Sequence, residues 1–280
     1  MSNKKLAICT TINKNYADYA VVCLQSFKRN SGLTSDLFVF VNQNYLNQTQ
    51  IDNFKYNGIT IIDVDFSNRY NLPTDWPYPS ECFWIFKCPE ILYSLGYDYT
   101  LCVDTDTYCN AVLNLEFIDE IQFVAGIDAG RTNKQFLKGI KQLDELTSLF
   151  LLQQDRLNLK STNTGVLLFH NKYCYAINFE EKIHQIFKKS MDNNISRKGD
   201  DSLFSLYCSI FDAPITYINN KFNDYKFYQT SDISEEPYII HYATSIKPWS
   251  TNILNLNQKT TRFITRWLYL QKKIKENKIC

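Results

Sequence analysis

Residues 99–108 read Tyr99-Thr100-Leu101-Cys102-Val103-Asp104-Thr105-Asp106-Thr107-Tyr108, a mostly apolar run that stops at two carboxylates one residue apart. A nearly continuous apolar run fits a strand buried on both faces, as in parallel sheets covered by helices. The pattern recurs outward from it. Leu6 to Thr11, Asp36 to Val41 and Ile59 to Asp65 read as three earlier strands, with Tyr16 to Lys28 as the helix after the first. After a loop marked by Pro73, Pro77 and Pro79, Cys82 to Leu95 reads as a helix leading into the strand Tyr99 to Val103. Ile121 to Ile127 and Gly165 to Phe169 follow as strands, separated by a helix from Asn133 to Gln154. This alternation predicts an α/β fold with a mixed, mostly parallel sheet flanked by helices.

In open α/β sheets, ligands bind beyond the carboxyl ends of strands, and Asp104 begins where Tyr99 to Val103 stops. Two acids so close repel each other unless a cation sits between them, and hard divalent ions prefer oxygen donors. The pair therefore suits Mg2+ or Mn2+. Three readings remain open from the pair alone: a turn held by Asp side chains, a metal site, and a phosphatase of the haloacid dehalogenase class with Asp104 as nucleophile. The phosphatase needs its motif on the opening strand and a later GDxxxD. Here three strands come first, and the fourth residue after Asp200 is Phe204.

His241 differs from His170 and His184, which read as structural. It ends the apolar run Tyr238-Ile239-Ile240 and opens HYATSIKPW, with Lys247 a short loop away and Pro248 and Trp249 shaping that loop. Imidazole can complete an oxygen-rich metal shell, and a lysine neutralises phosphate as a point charge.

The 280 residues, 45% of them hydrophobic, can bury one domain's core. No repeat, low-complexity linker or hinge divides them, so 1–257 is expected to form one domain and 258–280 a terminal helix. Thirty Lys and Arg against 29 Asp and Glu give no global field to attract nucleic acid. Nine cysteines without a CxxC pair read as free thiols, which suits a reducing compartment. No secretory signal and no stretch of 18 apolar residues is present, so a cytoplasmic location is expected. In the last segment, Phe263, Ile264, Trp267, Leu268, Leu270 and Ile274 mostly recur at helical spacing. Lys259, Arg262, Arg266, Lys272, Lys273, Lys275 and Lys278 make the rest basic. Such a helix either docks on its own domain or lies on an anionic membrane.

From Leu6 to Trp249 the chain resembles the glycogenin-like, family-eight retaining glycosyltransferases of the GT-A fold, which include bacterial lipooligosaccharide galactosyltransferases. CTTINKNYADY resembles the opening nucleotide loop, WIFK a basic position, LCVDTDTY the metal motif and FVAGID a sugar-side aspartate. NTGVLLF resembles the N[ST]GV strand, and HYATSIKPW the closing HxxGxxKPW. The resemblance implies transfer of a sugar from a nucleotide-sugar donor, a UDP-sugar, to a hydroxyl of a glycan, glycoprotein or glycolipid, with retention and Mn2+ or Mg2+. It implies that Thr10, Asn13 and Tyr16 line the base, with Tyr16 stacked on uracil. Asp104 would touch ribose and metal, Asp106 and His241 would complete the metal shell, and Lys247 would hold the diphosphate. Lys87, Asp128, Asn163 and Asp200 would surround the sugar.

Two positions depart from the family pattern. Thr244 stands where the closing motif has Gly. In Asp200-Asp201-Ser202-Leu203-Phe204, Asp201 stands where the family has the glutamine facing the reacting carbon, which leaves the donor sugar open and offers a carboxylate nucleophile as an alternative reading at that point. A nucleotide-sugar-binding scaffold without activity is the third functional alternative.

Overall fold

The computed structural model describes residues 4–65, 68–73, 76, 78–137, 143–193, 199–229, 236–243, 247–250 and 256–276. The first part alternates β1 (Leu6–Thr11), α1 (Ala17–Asn30), β2 (Asp36–Val41), α2 (Gln48–Tyr56) and β3 (Ile59–Asp63). A 3-10 helix Ser80–Phe86 and α3 (Cys88–Ser94) lead into β4 (Tyr99–Val103), after which β5 (Thr107–Cys109) leaves the sheet. The middle holds β6 (Val124–Thr132), α4 (Asn133–Leu137), α5 (Leu143–Phe150), α6 (Gln154–Leu157), β7 (Lys160–Thr162) and β8 (Val166–His170). Then follow α7 (Asn171–Ala176), α8 (Phe179–Asp192), α9 (Asp200–Phe211), β9 (Ile215–Ile218), β10 (Ile239–His241) and α10 (Gln258–Lys275).

An eight-stranded sheet runs β3-β2-β1-β4-β8-β6-β7, with β9 pairing β6. The pairs β2–β3, β1–β2, β1–β4 and β6–β9 are parallel; β8 and β7 run antiparallel to their neighbours. Alternation along the strands feeds two cores. Leu6 and Ile8 of β1 pack with α1 and α10 on one face, while Ala7 and Cys9 pack with α3, α8 and α9 on the other. The second core is aromatic, with Phe86, Phe123, Phe169, Phe179, Phe204 and Tyr207 in mutual contact. The eight described cysteines are free thiols, and Cys9, Cys88 and Cys102 bring their sulfurs within 4.8 Å of one another in this core.

The α/β expectation holds, and β1, β2 and β4 have the limits read from the sequence. The first helix starts at Ala17, β3 ends at Asp63 and β8 begins at Val166. Other expectations need correction. Cys82 to Leu95 is two helices, because Pro89 lacks the N–H a continuous helix would need and instead sits in the first turn of α3. Asn133 to Gln154 is three short helices, with residues 138–142 outside the described set. The strand expected at Ile121 to Ile127 begins at Val124 and continues to Thr132, because β7 supplies a partner along its polar end.

In α10, Phe263, Ile264, Trp267, Leu270 and Ile274 are buried in the first core, so the apolar stripe docks on its own domain. Each such side chain contributes about 1.5–3 kcal/mol of burial. Among the described residues, no helix is long and apolar enough to cross a membrane.

Candidate functional site

β1 and β4 are parallel, so Thr11, Ile12 and Asn13 leave the sheet at the same edge as Asp104. A tight turn follows β4. Asp104 N–H donates to the Gly165 carbonyl at 2.9 Å, and Thr107 donates to the Asp104 carbonyl through N–H at 3.1 Å and Oγ1 at 2.8 Å. The turn sends β5 out antiparallel to β10, with His241 opposite Thr107 and Tyr242 N–H on the Asp106 carbonyl at 2.9 Å. This register carries His241 from the far end of the chain to the aspartates.

There, His241 Nε2 lies 3.4 Å from Asp104 Oδ2 and 3.3 Å from Asp106 Oδ1. The ring is buried, and its Nδ1 faces Asn223 Oδ1 at 2.9 Å. Lys247 donates to Asp106 Oδ2 and, at 2.6 Å, to the Tyr242 carbonyl. Burial disfavours the imidazolium, but Asp106 and Asp104 outweigh it and hold the ring up to about 10. Burial likewise works against a charged Asp106. His241, and then Lys247, nevertheless hold its carboxyl well below the usual range.

The donor set fits a divalent ion. Asp104, Asp106 and His241 each offer one ligand atom, and these atoms lie within 4.8 Å of one another. Metal–oxygen bonds of about 2.1 Å at right angles separate neighbouring ligand atoms by about 3 Å, close to the distances here. A histidine ligand normally anchors its second ring nitrogen, as the Asn223 contact does.

A second cluster faces the same cleft. Asp200 and Asp201 occupy the first turn of α9, where helix N–H groups favour negative charge. Thr164 N–H donates to Asp201 Oδ1 at 2.6 Å; the Thr164 hydroxyl lies against that same oxygen and 2.5 Å from Asp200 Oδ2. One hydroxyl hydrogen cannot serve two carboxylates, so the cluster needs a shared proton. Burial first, then the neighbouring Asp201 and Asp104 charges, push the Asp200 carboxyl well above the usual range; burial also raises Asp201. Asp201 is thus engaged by Thr164.

These groups line one cleft of about 450 Å³, within the usual size for a small-molecule site. Of the residues expected from the sequence, it contains Asn13, Tyr16, Asp104, Asp106, Asn163, Asp200, Asp201, His241 and Lys247. Three others stand outside its lining. Thr10 is buried in β1. Lys87 pairs with Glu90 at 2.6 Å and Glu180 at 3.8 Å, and Asp128 pairs with Lys160 at 2.7 Å. Thr244 lies outside the described residues.

Trp249 fixes the loop after Lys247. It stacks on Tyr19 with centroids 4.0 Å apart and touches Tyr16 and Trp267 edgewise or at a tilt. Residues not anticipated from sequence include Thr164, Gly165 and Asn223. A Cβ at Gly165 would lie 2.1 Å from His241 Cε1, so only glycine lets the imidazole in. The NTGV motif carried that signal. Asn223 sits in the polar run NNKFND with no feature to mark it.

A family model described as Glycosyl transferase family 8 matches residues 7–253. Among solved structures, galactosyltransferase LgtC in complex with donor and acceptor sugar analogs is similar at 15% identity and TM-score 0.66, over 95% of each chain. The apo WbbM bifunctional glycosyltransferase is similar at 14% identity and TM-score 0.66, over 98% of this chain and 52% of its own. Mouse xyloside xylosyltransferase 1 is similar at 12% identity and TM-score 0.54, over 85% of this chain and 96% of its own. At these identities the likeness is one of fold. No curated protein matches by sequence.

Proposed function

The chain belongs to glycosyl transferase family 8 and is a glycosyltransferase, and on that premise we propose that it is a divalent-metal-dependent, retaining enzyme using a UDP-sugar. The observation that carries this reading is the convergence of Asp104, Asp106, His241 and Lys247 in the cleft that also holds Asp200 and Asp201.

In this reading Asp104, Asp106 and His241 hold Mn2+ or Mg2+. When bound, the ion supplies positive charge for the leaving diphosphate. Lys247 exchanges its contact with Asp106 for the diphosphate and adds a second positive charge, so no separate general acid is required. Tyr16 and Asn13 receive the base. Asp200, Asp201 and Asn163 face the sugar, where their oxygens hold hydroxyls and favour the positive charge that builds on the ring as the glycosidic bond breaks. Lys87 and Asp128 would reach the sugar only by exchanging Glu90 and Lys160; Thr10 supports the base loop from within β1. An acceptor hydroxyl attacking on the face from which diphosphate leaves, and passing its proton to the departing diphosphate oxygen, gives retention, with the Asp201 carboxylate stabilising the cationic ring.

We place the enzyme in the cytoplasm with a glycan, glycoprotein or glycolipid acceptor. The outward basic residues of α10, Lys272, Lys273 and Lys275, suit contact with an anionic bilayer. Co-sedimentation of the full chain with anionic vesicles, lost when these lysines become glutamines, checks that contact.

The decisive experiment is Asp106→Asn. Wild type with Mn2+ is expected to release UDP from a UDP-hexose while leaving generic phosphomonoesters intact. The variant should fold and lose that release. Unchanged turnover in the variant would overturn the metal assignment.

A further inference from the structure

We propose that Asn223 is a positioning residue whose single buried amide orients both halves of the site, the metal ligand His241 and the sugar-side Asn163. The proposal rests on the metal reading above. Asn223 closes the 3-10 turn Asn220–Asn223 and is 1% exposed. Its Oδ1 faces His241 Nδ1 at 2.9 Å, and its Nδ2 donates to Asn163 Oδ1 at 2.7 Å.

The donor and acceptor inventory leaves this chain one arrangement. With a cation bound in place of the proton that the aspartates otherwise hold on the ring, the imidazole is neutral and has one N–H. Committing it to Asn223 Oδ1 leaves the Nε2 lone pair directed at the point shared with Asp104 and Asp106, which is the tautomer that binds a cation. With Oδ1 so occupied, the Asn223 amide group can only donate on its other side. Asn163 must then present Oδ1, which also accepts Gly165 N–H at 3.2 Å, and its Nδ2 turns toward Asp201 Oδ2 at 3.5 Å. From His241 the order runs through Asn223 and Asn163 to Asp201. A flip at Asn223 would break both ends at once, and a side chain buried to this degree is shut off from the bulk solvent that could repair it.

Two substitutions separate the halves. Asn223→Asp keeps an acceptor for His241 Nδ1–H but has nothing to donate to Asn163. It should bind Mn2+ like wild type while its kcat for UDP-hexose hydrolysis falls at least tenfold. Asn223→Ala removes both contacts and should weaken Mn2+ binding about 10–100-fold as well, the usual effect of losing a partner behind a metal ligand. Mn2+ affinity is read by electron paramagnetic resonance of the free ion, hydrolysis by UDP release, and folding by thermal melting. Wild-type hydrolysis by Asn223→Asp would overturn the proposal. Wild-type Mn2+ affinity in folded Asn223→Ala would do so too; if that variant does not fold, Asn223→Asp decides. Asp106→Asn is the control for the underlying reading. If it binds Mn2+ as wild type does, the metal site has failed, irrespective of Asn223.

Discussion

Gly165→Ala adds one methyl group at the back of the proposed metal centre. The new Cβ would lie 2.1 Å from His241 Cε1, 2.5 Å from Nδ1 and 2.9 Å from Nε2. Carbon atoms settle no closer than about 3.5 Å, so roughly 1.4 Å of overlap must be relieved. The backbone at Gly165 has little freedom: its carbonyl takes Asp104 N–H at 2.9 Å, and β8 begins at the next residue, paired with β4 and β6. The imidazole must give way instead, away from Asp104 and Asp106 and off Asn223. A displacement on the order of 1 Å at a reacting centre costs about 100-fold in rate, and a metal ligand held off its second partner loses about 10–100-fold in affinity. Overpacking costs about 1–3 kcal/mol, which for a chain of this size lowers Tm by roughly 2–12 °C. Mn2+ binding and UDP release by the purified variant, below its melting temperature, measure the effect. Wild-type values for both would refute the argument that the missing side chain at residue 165 makes room for His241.

Three further outcomes follow from the same geometry. Tyr16→Ala removes the proposed stacking partner of the base; at about 1–3 kcal/mol for such a contact, donor KM should rise about 5–150-fold with a smaller change in kcat, as initial-rate kinetics would show. Burial and the Asp201 and Asp104 charges raise the Asp200 carboxyl, so its ionisation opposes folding once pH exceeds the unfolded value of 3.8. Asp200→Asn should accordingly raise Tm at pH 7, gain less than wild type on acidification toward pH 4, and lose transfer. Trp267→Ala empties a fully buried site against Trp249, Tyr108 and Tyr242; denaturant titration should show about 3–5 kcal/mol less stability, with donor affinity falling as the Lys247 loop loosens.

The sheet was most legible where both faces are buried. In β1, β2 and β4 nearly every residue is apolar, and their limits could be read directly. The polar end of β6 could not: Asp128 to Thr132 belong to a strand only because β7 supplies a partner from another part of the chain. The helix expected from Asn133 to Gln154 had the right composition, but α5 ends at Phe150, where Leu151 turns into the left-handed region at φ 52°, and α6 follows as a separate turn packed on α9. For the site, Asp104 and Asp106 announce themselves by ending an apolar strand, and His241 by ending another. Lys87 and Asp128 carry suitable chemistry in matching motifs, and the structure pairs them with Glu90 and Lys160, outside the lining of the cleft. Asn223 was invisible because its role depends on which two side chains it meets, and a polar turn gives no hint of that.

The pairing of β5 with β10 also sets a timetable. During synthesis, which proceeds at about 5–20 residues per second, β4 and both aspartates leave the ribosome several seconds before His241. Until β10 arrives, the nascent chain holds two neighbouring acids with neither the imidazole nor the lysine that complete the cage. Sugar nucleotides are costly metabolites, and a half-made chain that cleaved them would waste them. The topology delays assembly of the Asp104, Asp106, His241 and Lys247 cluster until β10 and the loop after it have been made.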